Sequence, residues 1–134
     1  MLKIQNALVM ELLVAGKEFK ALKNTIPVFI RLAWDKNETQ LQKHYVNIEK
    51  GRMAICEEYA DKDDAGIPLL TNAKEYQISA ENMKLVTEKI KKLGQEEVEI
   101  PDFRLDAKDV PKDFSFSIAD FPRHELFMKF MFKN

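Results

Sequence analysis

The chain has 134 residues, which is the size of one ordinary domain of about 100 to 150 residues and excludes two domains of usual size. Hydrophobic residues make up 46% and charged residues 32% of the chain, which is too much apolar material for a disordered protein and too much charge for a membrane protein. The 21 basic and 22 acidic side chains give a net charge of −1, so no overall positive field is present to attract nucleic acid or an anionic membrane.

The first predicted element is a helix from about Ile4 to Leu22. Apolar residues recur along it in steps of three or four, which keeps one helical face apolar; they are Ile4, Leu8, Leu12, Ala15, Phe19 and Leu22. After it, an Asn24 or Thr25 side chain can cap a second helix, and Pro27 fits an early helical position that needs no amide donor. The pattern therefore predicts a tight reversal between two helices.

The second predicted helix runs from Pro27 to about Ala60. Its apolar and aromatic positions, with Arg52 among them, form one seam, and from Leu41 onward they alternate in steps of four and three like a heptad; the seam comprises Ile30, Trp34, Leu41, Tyr45, Ile48, Arg52, Ile55 and Tyr59. A helix of this length extends about 50 Å, and Gly51 within it predicts a close crossing. Because this helix is longer than the first, its C-terminal half must be covered by the rest of the chain or by a second copy.

Short strands and one helix are predicted for the middle of the chain. Residues 61–68 contain turn formers and no periodicity, so the long helix ends there. Residues 74–78 alternate as a strand does, and Ser79 then caps a helix that Gly94 ends; the apolar face of this helix consists of Met83, Val86, Ile90 and Leu93. A second strand at residues 97–100 is expected to pair with the first, and residues 114–118 can add a third strand.

The C-terminal segment is rich in aromatic residues. A helix is predicted after Asp120-Phe121-Pro122, with one broad apolar face that contains Leu126, Phe127, Phe130 and Met131. Two interpretations stay open. The tail folds back over the uncovered half of the long helix, or part of it contacts a partner or a second subunit, since aromatic and Met side chains are enriched at interface cores.

Together these elements predict a single domain of the mainly α, α+β class. Residues 1–60 form a long antiparallel helical hairpin. Residues 61–134 add a two- or three-stranded ribbon, a helix and the aromatic C-terminal helix.

No group of residues indicates catalysis, a metal site or a cofactor. Asp61, Asp63 and Gly66 occupy the first, third and sixth positions of an EF-hand loop, but Ala65 and Asn72 stand where the fifth and twelfth ligands belong, so calcium is not expected. Cys56 is the only cysteine, which excludes an internal disulfide and a multi-thiolate metal site. The sequence therefore predicts a protein that is not an enzyme and has no cofactor, in a reducing cytoplasm. Neither a signal peptide nor a transmembrane segment is expected.

Two sets of residues are candidates for binding. A protein interface is predicted at the seam of the second helix or in the tail, and its candidates are Trp34, Leu41, Tyr45, Ile48, Arg52, Ile55, Tyr59, Phe127, Phe130 and Met131. The alternative is a nucleic-acid interface on the exposed face of the helix after Ser79, formed by Lys84, Lys89, Lys91 and Lys92. No aromatic interleaving accompanies these lysines, which favours the protein interface.

Several segments, in order, carry a resemblance that covers most of the chain. They are residues 22–28 at the helix reversal, 41–59 with Glu57-Glu58-Tyr59, 62–66, 76–78, 96–100 and 117–120. In this order the chain resembles small, functionally uncharacterised proteins of bacteriophages and prophages, mostly from low-GC Gram-positive hosts. The loop Asp63-Asp64-Ala65-Gly66 lacks the acidic residue expected before glycine, and the aromatic tail is longer than usual. The resemblance implies a phage protein with a helical hairpin and no known catalysis, and it transfers no site residues.

The sequence therefore favours a non-enzymatic phage protein that acts by protein–protein binding, either as an accessory in virion assembly or as an inhibitor of a host defence system. Its expected partners are a second copy of itself, as a homodimer, and a phage or host protein. The expected location is the host cytoplasm or the virion. The alternative is a phage regulator that binds nucleic acid through the lysine face.

Overall fold

The computed structural model describes residues 1–22 and 26–134. Its elements, in chain order, are β1 (Leu2–Gln5), α1 (Asn6–Lys20), α2 (Val28–Tyr59), α3 (Ala80–Gln95), β2 (Glu97–Ile100), β3 (Leu105–Asp106), a short 3-10 helix (Ala107–Asp109), α4 (His124–Met131) and β4 (Phe132–Lys133). Helices dominate the described residues, whose strands form two small two-stranded sheets. The predicted α+β class is confirmed.

The helical hairpin is formed by α1 and α2. Their antiparallel packing brings Asn6 near Ile48, whereas Gly16 contacts Trp34 close to the reversal. The carbonyl oxygen of Pro27 accepts backbone N–H groups from the first turn of α2, at 3.1 Å from Ile30, so Pro27 directly precedes the helix. The predicted caps at Asn24 and Thr25 lie outside the described residues.

The first residues of the chain form a strand, although a helix was predicted from Ile4. β1 pairs antiparallel with β2, with Leu2 opposite Ile100 and Gln5 opposite Glu97. Ile4 is four residues before Leu8, as in a helix, but it is also two residues after Leu2, as in a strand, and pairing with β2 decides between the two. The predicted strand at residues 97–100 is therefore present, but its partner is β1 and not residues 74–78.

Two predicted strands are absent from the part of the chain that the structure describes. In residues 74–78, only Tyr76 takes part in a β-bridge, and its partner is Leu70. Lys74 has a φ of 61°, which is outside the range of a β-strand. Residues 114–118 have no strand, and their alternation places Phe114 and Phe116 against the core with ring centroids 5.9 Å apart. Alternation here reflects the packing of two rings and not a sheet.

The prediction for α3 is confirmed at its start and wrong at its end. The backbone N–H of Asn82 donates to Oγ of Ser79 at 3.2 Å, which caps the helix. Gly94 does not end the helix, which runs to Gln95. A Cβ atom at Gly94 would lie 3.4 Å from the Cβ of Ala7, so this glycine lies at the contact between α3 and α1.

The aromatic tail folds back onto the hairpin, but it covers the first half of α2 and not the second. Phe127 stacks on Phe19 at 4.4 Å between ring centroids and lies 5.1 Å from Trp34. The second half of α2 is covered by α3, where Asn82 Nδ2 donates to the carbonyl oxygen of Tyr59 at 3.3 Å. The tail is shorter than α2, and the Phe19–Trp34 end of the hairpin offers its rings the larger aromatic surface.

Candidate protein-binding groove

A groove lies between the C-terminal half of α2, the loop of residues 61–79 and α3. We call it the α2–α3 groove; its volume is about 550 Å³. Its lining residues are Arg52, Met53, Cys56, Leu70, Lys74, Glu75, Tyr76, Ile78, Met83, Val86, Thr87 and Ile90. All three elements contribute side chains, so the groove exists only once they have packed together.

Three large apolar side chains around this groove remain open to solvent. Met53 is 45% exposed, Leu70 is 56% exposed and Met83 is 44% exposed. Single exposed apolar residues are normal on a protein surface, but three that line one concavity form a patch that partners recognise. Methionine side chains also adapt to different partner shapes.

The walls of the groove are held by specific contacts. Val86 is almost fully buried, which anchors α3 against α2. The loop is held by backbone hydrogen bonds, with the N–H of Leu69 on the carbonyl of Asp61 at 2.7 Å and the N–H of Gln77 on the carbonyl of Leu69 at 2.9 Å. A loop with its backbone paired in this way presents Leu70 in a defined position.

The acidic turn in this loop is stabilised by hydrogen bonds within the loop. Oδ1 of Asp63 accepts the backbone N–H groups of Ala65 and Ile67, both at 2.9 Å. Gly66 has a φ of 79°, in the left-handed region that favours glycine. The carboxylate that resembled a calcium ligand therefore stabilises a turn.

A second concavity adjoins the groove where the ends of α1 and α3 meet α2. We call it the apolar cleft; its volume is about 330 Å³. Its lining residues are Gln5, Asn6, Ala7, Met10, Ile48, Glu49, Arg52, Ile90, Lys91, Leu93, Gly94 and Gln95. Asn6 is 5% exposed and its Nδ2 donates to the carbonyl oxygen of Leu93 at 2.9 Å, which ties α1 to α3. Its Oδ1 has no partner among the described residues.

Arg52 lies at the junction of the groove and the cleft. Its guanidinium binds Glu49 with 3.0 Å between Nη2 and Oε2. The hydrogen bond to Glu49 raises the pKa of Arg52 above its ordinary value. The positive charge of Arg52 is therefore matched within the chain, and its side chain is fixed where the two concavities meet.

The lysines that the sequence assigned to nucleic acid are not equivalent. Lys89 is 3.9 Å from Glu58 and lies 5.1 Å from the ring centroid of Tyr59. Interaction with the Tyr59 side chain, followed by attraction to Glu58, raises the pKa of Lys89. Lys89 is therefore exposed but contacts α2, whereas Lys84, Lys91 and Lys92 are exposed and have no ion pair among the described residues.

Half of the predicted interface residues belong to the core of one chain. Trp34, Leu41, Ile48, Phe127 and Met131 are buried, and Tyr45, Arg52, Ile55, Tyr59 and Phe130 are half-buried. Of these ten, only Arg52 lines the α2–α3 groove. The sequence analysis did not identify Met53, Leu70 or Met83 as interface residues. The one local signal for this surface is the apolar pair Leu69-Leu70, which lies in a loop without periodicity.

The side chains that could bind a metal ion are dispersed in the part of the chain that the structure describes. Within residues 1–22 and 26–134, no three His, Cys, Asp or Glu side chains are close enough to hold a metal ion. His44 Nε2 is 3.2 Å from the carbonyl oxygen of Glu99, and His124 Nδ1 is 2.9 Å from that of Phe121. Both rings thus contact backbone carbonyls, and Cys56 lines the groove.

Comparison of the chain with models of known protein families, with curated proteins and with solved structures gave no match. Of the described helices, none combines the length and the hydropathy that crossing a membrane requires. The candidate site therefore depends on the geometry of this chain alone.

Proposed function

We propose that this protein acts without catalysis, by binding another protein in the α2–α3 groove. The observation that carries the proposal is the exposure of Met53, Leu70 and Met83 around one concave surface. A volume of about 550 Å³ lies within the range of about 300 to 1,000 Å³ that suits an inserted ligand or side chains. The resemblance to phage proteins supports a phage or host protein as the partner, in virion assembly or in obstruction of a host defence system.

Met83 and Leu85 allow a matched test. Both are 44% exposed and lie on α3, but only Met83 lines the groove. Tagged wild-type protein, Met83→Asp and Leu85→Asp are each purified from infected host cells, and the copurifying proteins are quantified. We expect one partner to be recovered with the wild type and with Leu85→Asp, and to be lost with Met83→Asp. Circular dichroism verifies that all three proteins are folded.

Equal recovery with both variants would contradict the proposal, because a charge inside an apolar contact is costly when it has no counter-charge. A partner lost only with Leu85→Asp would move the interface to the opposite face of α3. Both outcomes are read from variants that circular dichroism shows to be folded, so they concern the position of the interface and not the fold.

The homodimer remains a proposal, but the residues proposed to form its interface differ from those predicted from the sequence. Leu41 is fully buried within one chain, so Leu41→Asp would unfold the protein instead of separating two copies. We place self-association on exposed apolar residues of α2, the helix that carries the predicted seam; Leu32 and Val46 are 54% and 50% exposed. Light scattering at tens of micromolar is expected to show a dimer for the wild type and a monomer for Val46→Asp; a monomeric wild type would contradict it.

A further inference from the structure

We propose that the occupant of the α2–α3 groove is an acidic, amphipathic helix of the partner protein, with apolar side chains that enter both the groove and the apolar cleft. This inference rests on the proposed function, and it adds the chemistry of the partner. Three features carry it: the continuity of the two concavities, their spacing and the charges at their rim.

The groove and the cleft form one continuous surface. Arg52 of α2 and Ile90 of α3 line both of them. The cleft is lined mainly by apolar groups such as Met10, Ile48 and Leu93. A partner that enters the groove therefore has a second apolar depression directly beside it.

The spacing of the two depressions matches one side of a helix. Along α3, the cleft is lined between residues 90 and 95 and the groove between residues 83 and 90. At 1.5 Å per residue, the centres of these two ranges are about 9 Å apart along the axis. Apolar side chains at positions i, i+4 and i+7 of a bound helix cover about 6 to 10 Å in the same direction, which is the pattern by which helices bind grooves.

The charges at the rim select an acidic partner. Lys74 lines the groove and Lys91 lines the cleft. Lys84 lines neither, but it lies seven residues before Lys91 and therefore on the same face of α3. None of these three lysines has an ion pair among the described residues. The carboxylates of the lining are Glu75 and Glu49, and Arg52 already binds Glu49. The rim thus keeps an excess of unmatched positive charge.

The positions of charged residues around α3 favour an acidic partner in the groove over nucleic acid on the outer face of this helix. Starting from the groove residue Thr87, the helical period places Lys84 and Lys91 next around α3, and Glu81 and Glu88 come about 40 to 80° beyond them. A ligand in the groove meets the lysines first. Phosphates on the outer face would meet lysines and carboxylates together, which opposes nucleic-acid binding.

The test uses three fluorescent helical peptides of about 18 residues, long enough to hold a helix. Each has leucines at i, i+4 and i+7, and the flanking positions are Glu in one, Gln in the second and Lys in the third. Binding to the full chain is measured by fluorescence anisotropy at physiological salt. Because surface ion pairs are individually weak, we expect the Glu peptide to bind roughly tenfold more tightly than the Gln peptide, and the Lys peptide more weakly than both.

Protein variants connect this preference to the groove. Lys84→Glu combined with Lys91→Glu is expected to invert the order of the peptides. Met83→Asp is expected to weaken the binding of the Glu peptide by tenfold or more, and Leu85→Asp to leave it unchanged. Higher salt should reduce the difference between the Glu and Gln peptides, because exposed charges are screened.

Four results with the peptides would overturn the inference: no binding of the Glu peptide, equal binding of all three peptides, an unchanged order after the double charge reversal, or binding that Met83→Asp does not weaken. A fifth comes from nucleic acid. A fluorescent single-stranded oligonucleotide that binds more tightly than the Glu peptide would overturn it in favour of nucleic acid. Loss of the copurified partner with Met83→Asp but not with Leu85→Asp would still support the groove as a protein-binding site in each of these cases, so the two proposals fail separately.

Discussion

A Cβ atom at Gly16 would lie 1.9 Å from Cζ2 of Trp34. The indole ring lies directly on the backbone of α1, and Trp34 is fully buried there. Its Nε1 donates to Glu38 at 3.2 Å, so the polar edge of the ring has a partner. The absence of a side chain at Gly16 therefore gives the indole ring its place against α1.

Gly16→Ala is expected to destabilise the protein. Alanine raises helix propensity by about 1 kcal/mol, but the methyl group collides with a buried ring that has no room to move, and overpacking typically costs about 1 to 3 kcal/mol or more. We expect a net loss of about 2 kcal/mol in the free energy of unfolding, measured by urea denaturation. Gly51→Ala is the matched control in α2, because its Cβ would meet only the Leu93 side chain, at 3.3 Å. Equal losses for both variants would contradict this account.

Phe127→Ala is expected to cost about 3 to 5 kcal/mol in the free energy of unfolding. The ring is fully buried and contacts the rings of Phe19 and Trp34, so its removal leaves a cavity between α4 and the hairpin. Phe130→Ala on the same helix removes a half-buried ring and should cost on the order of 1 kcal/mol. Urea denaturation measures both values. A larger loss for Phe130 would show that the tail packs through its other face.

Asp102 and Arg104 predict a dependence of stability on pH. Arg104 binds Asp102 with 2.9 Å between Nη2 and Oδ2, and this hydrogen bond holds the pKa of the Asp102 carboxyl well below its ordinary range. The folded state therefore keeps the carboxylate at pH values where the unfolded chain binds a proton. The stabilisation is complete above the ordinary aspartate pKa of about 4 and is lost progressively as the pH falls below it.

Asp102→Asn is expected to lower the free energy of unfolding by up to about 1 kcal/mol at pH 7, because the pair is partly exposed. The difference from the wild type should decrease between about pH 4 and pH 2. Urea denaturation at several pH values measures it. Asp113→Asn is the control, because Asp113 is exposed and has no hydrogen bond or ion pair in the described part of the chain. A difference that is constant with pH would contradict the assignment.

Features that depend on neighbouring residues in the sequence were predicted correctly. The 3.6-residue period of α2 and the side chain of Ser79 before α3 are local signals, and both elements begin within one residue of the predicted positions. The strands show the limit of local signals. Alternation occurs at residues 74–78, 97–100 and 114–118, but only residues 97–100 find a partner strand, because β1 lies beside them.

The candidate site illustrates the same limit. The heptad-like seam of α2 correctly marks apolar positions, yet it does not say whether another chain or the same chain covers them. α4 covers Trp34 and α3 covers the region of Ile48, so those positions are core. Met53 lies outside the seam and becomes part of the candidate surface only because Leu70 and Met83 are folded next to it.

The sequence by itself determined the helices, their apolar faces and the α+β class, since a helical period and a capping side chain act within a few residues. Only the tertiary structure decided which strand pairs with which, which half of α2 the tail covers, and where apolar side chains stay open to solvent. These outcomes depend on contacts between residues far apart in the chain, and their free energy appears only when the elements have packed together.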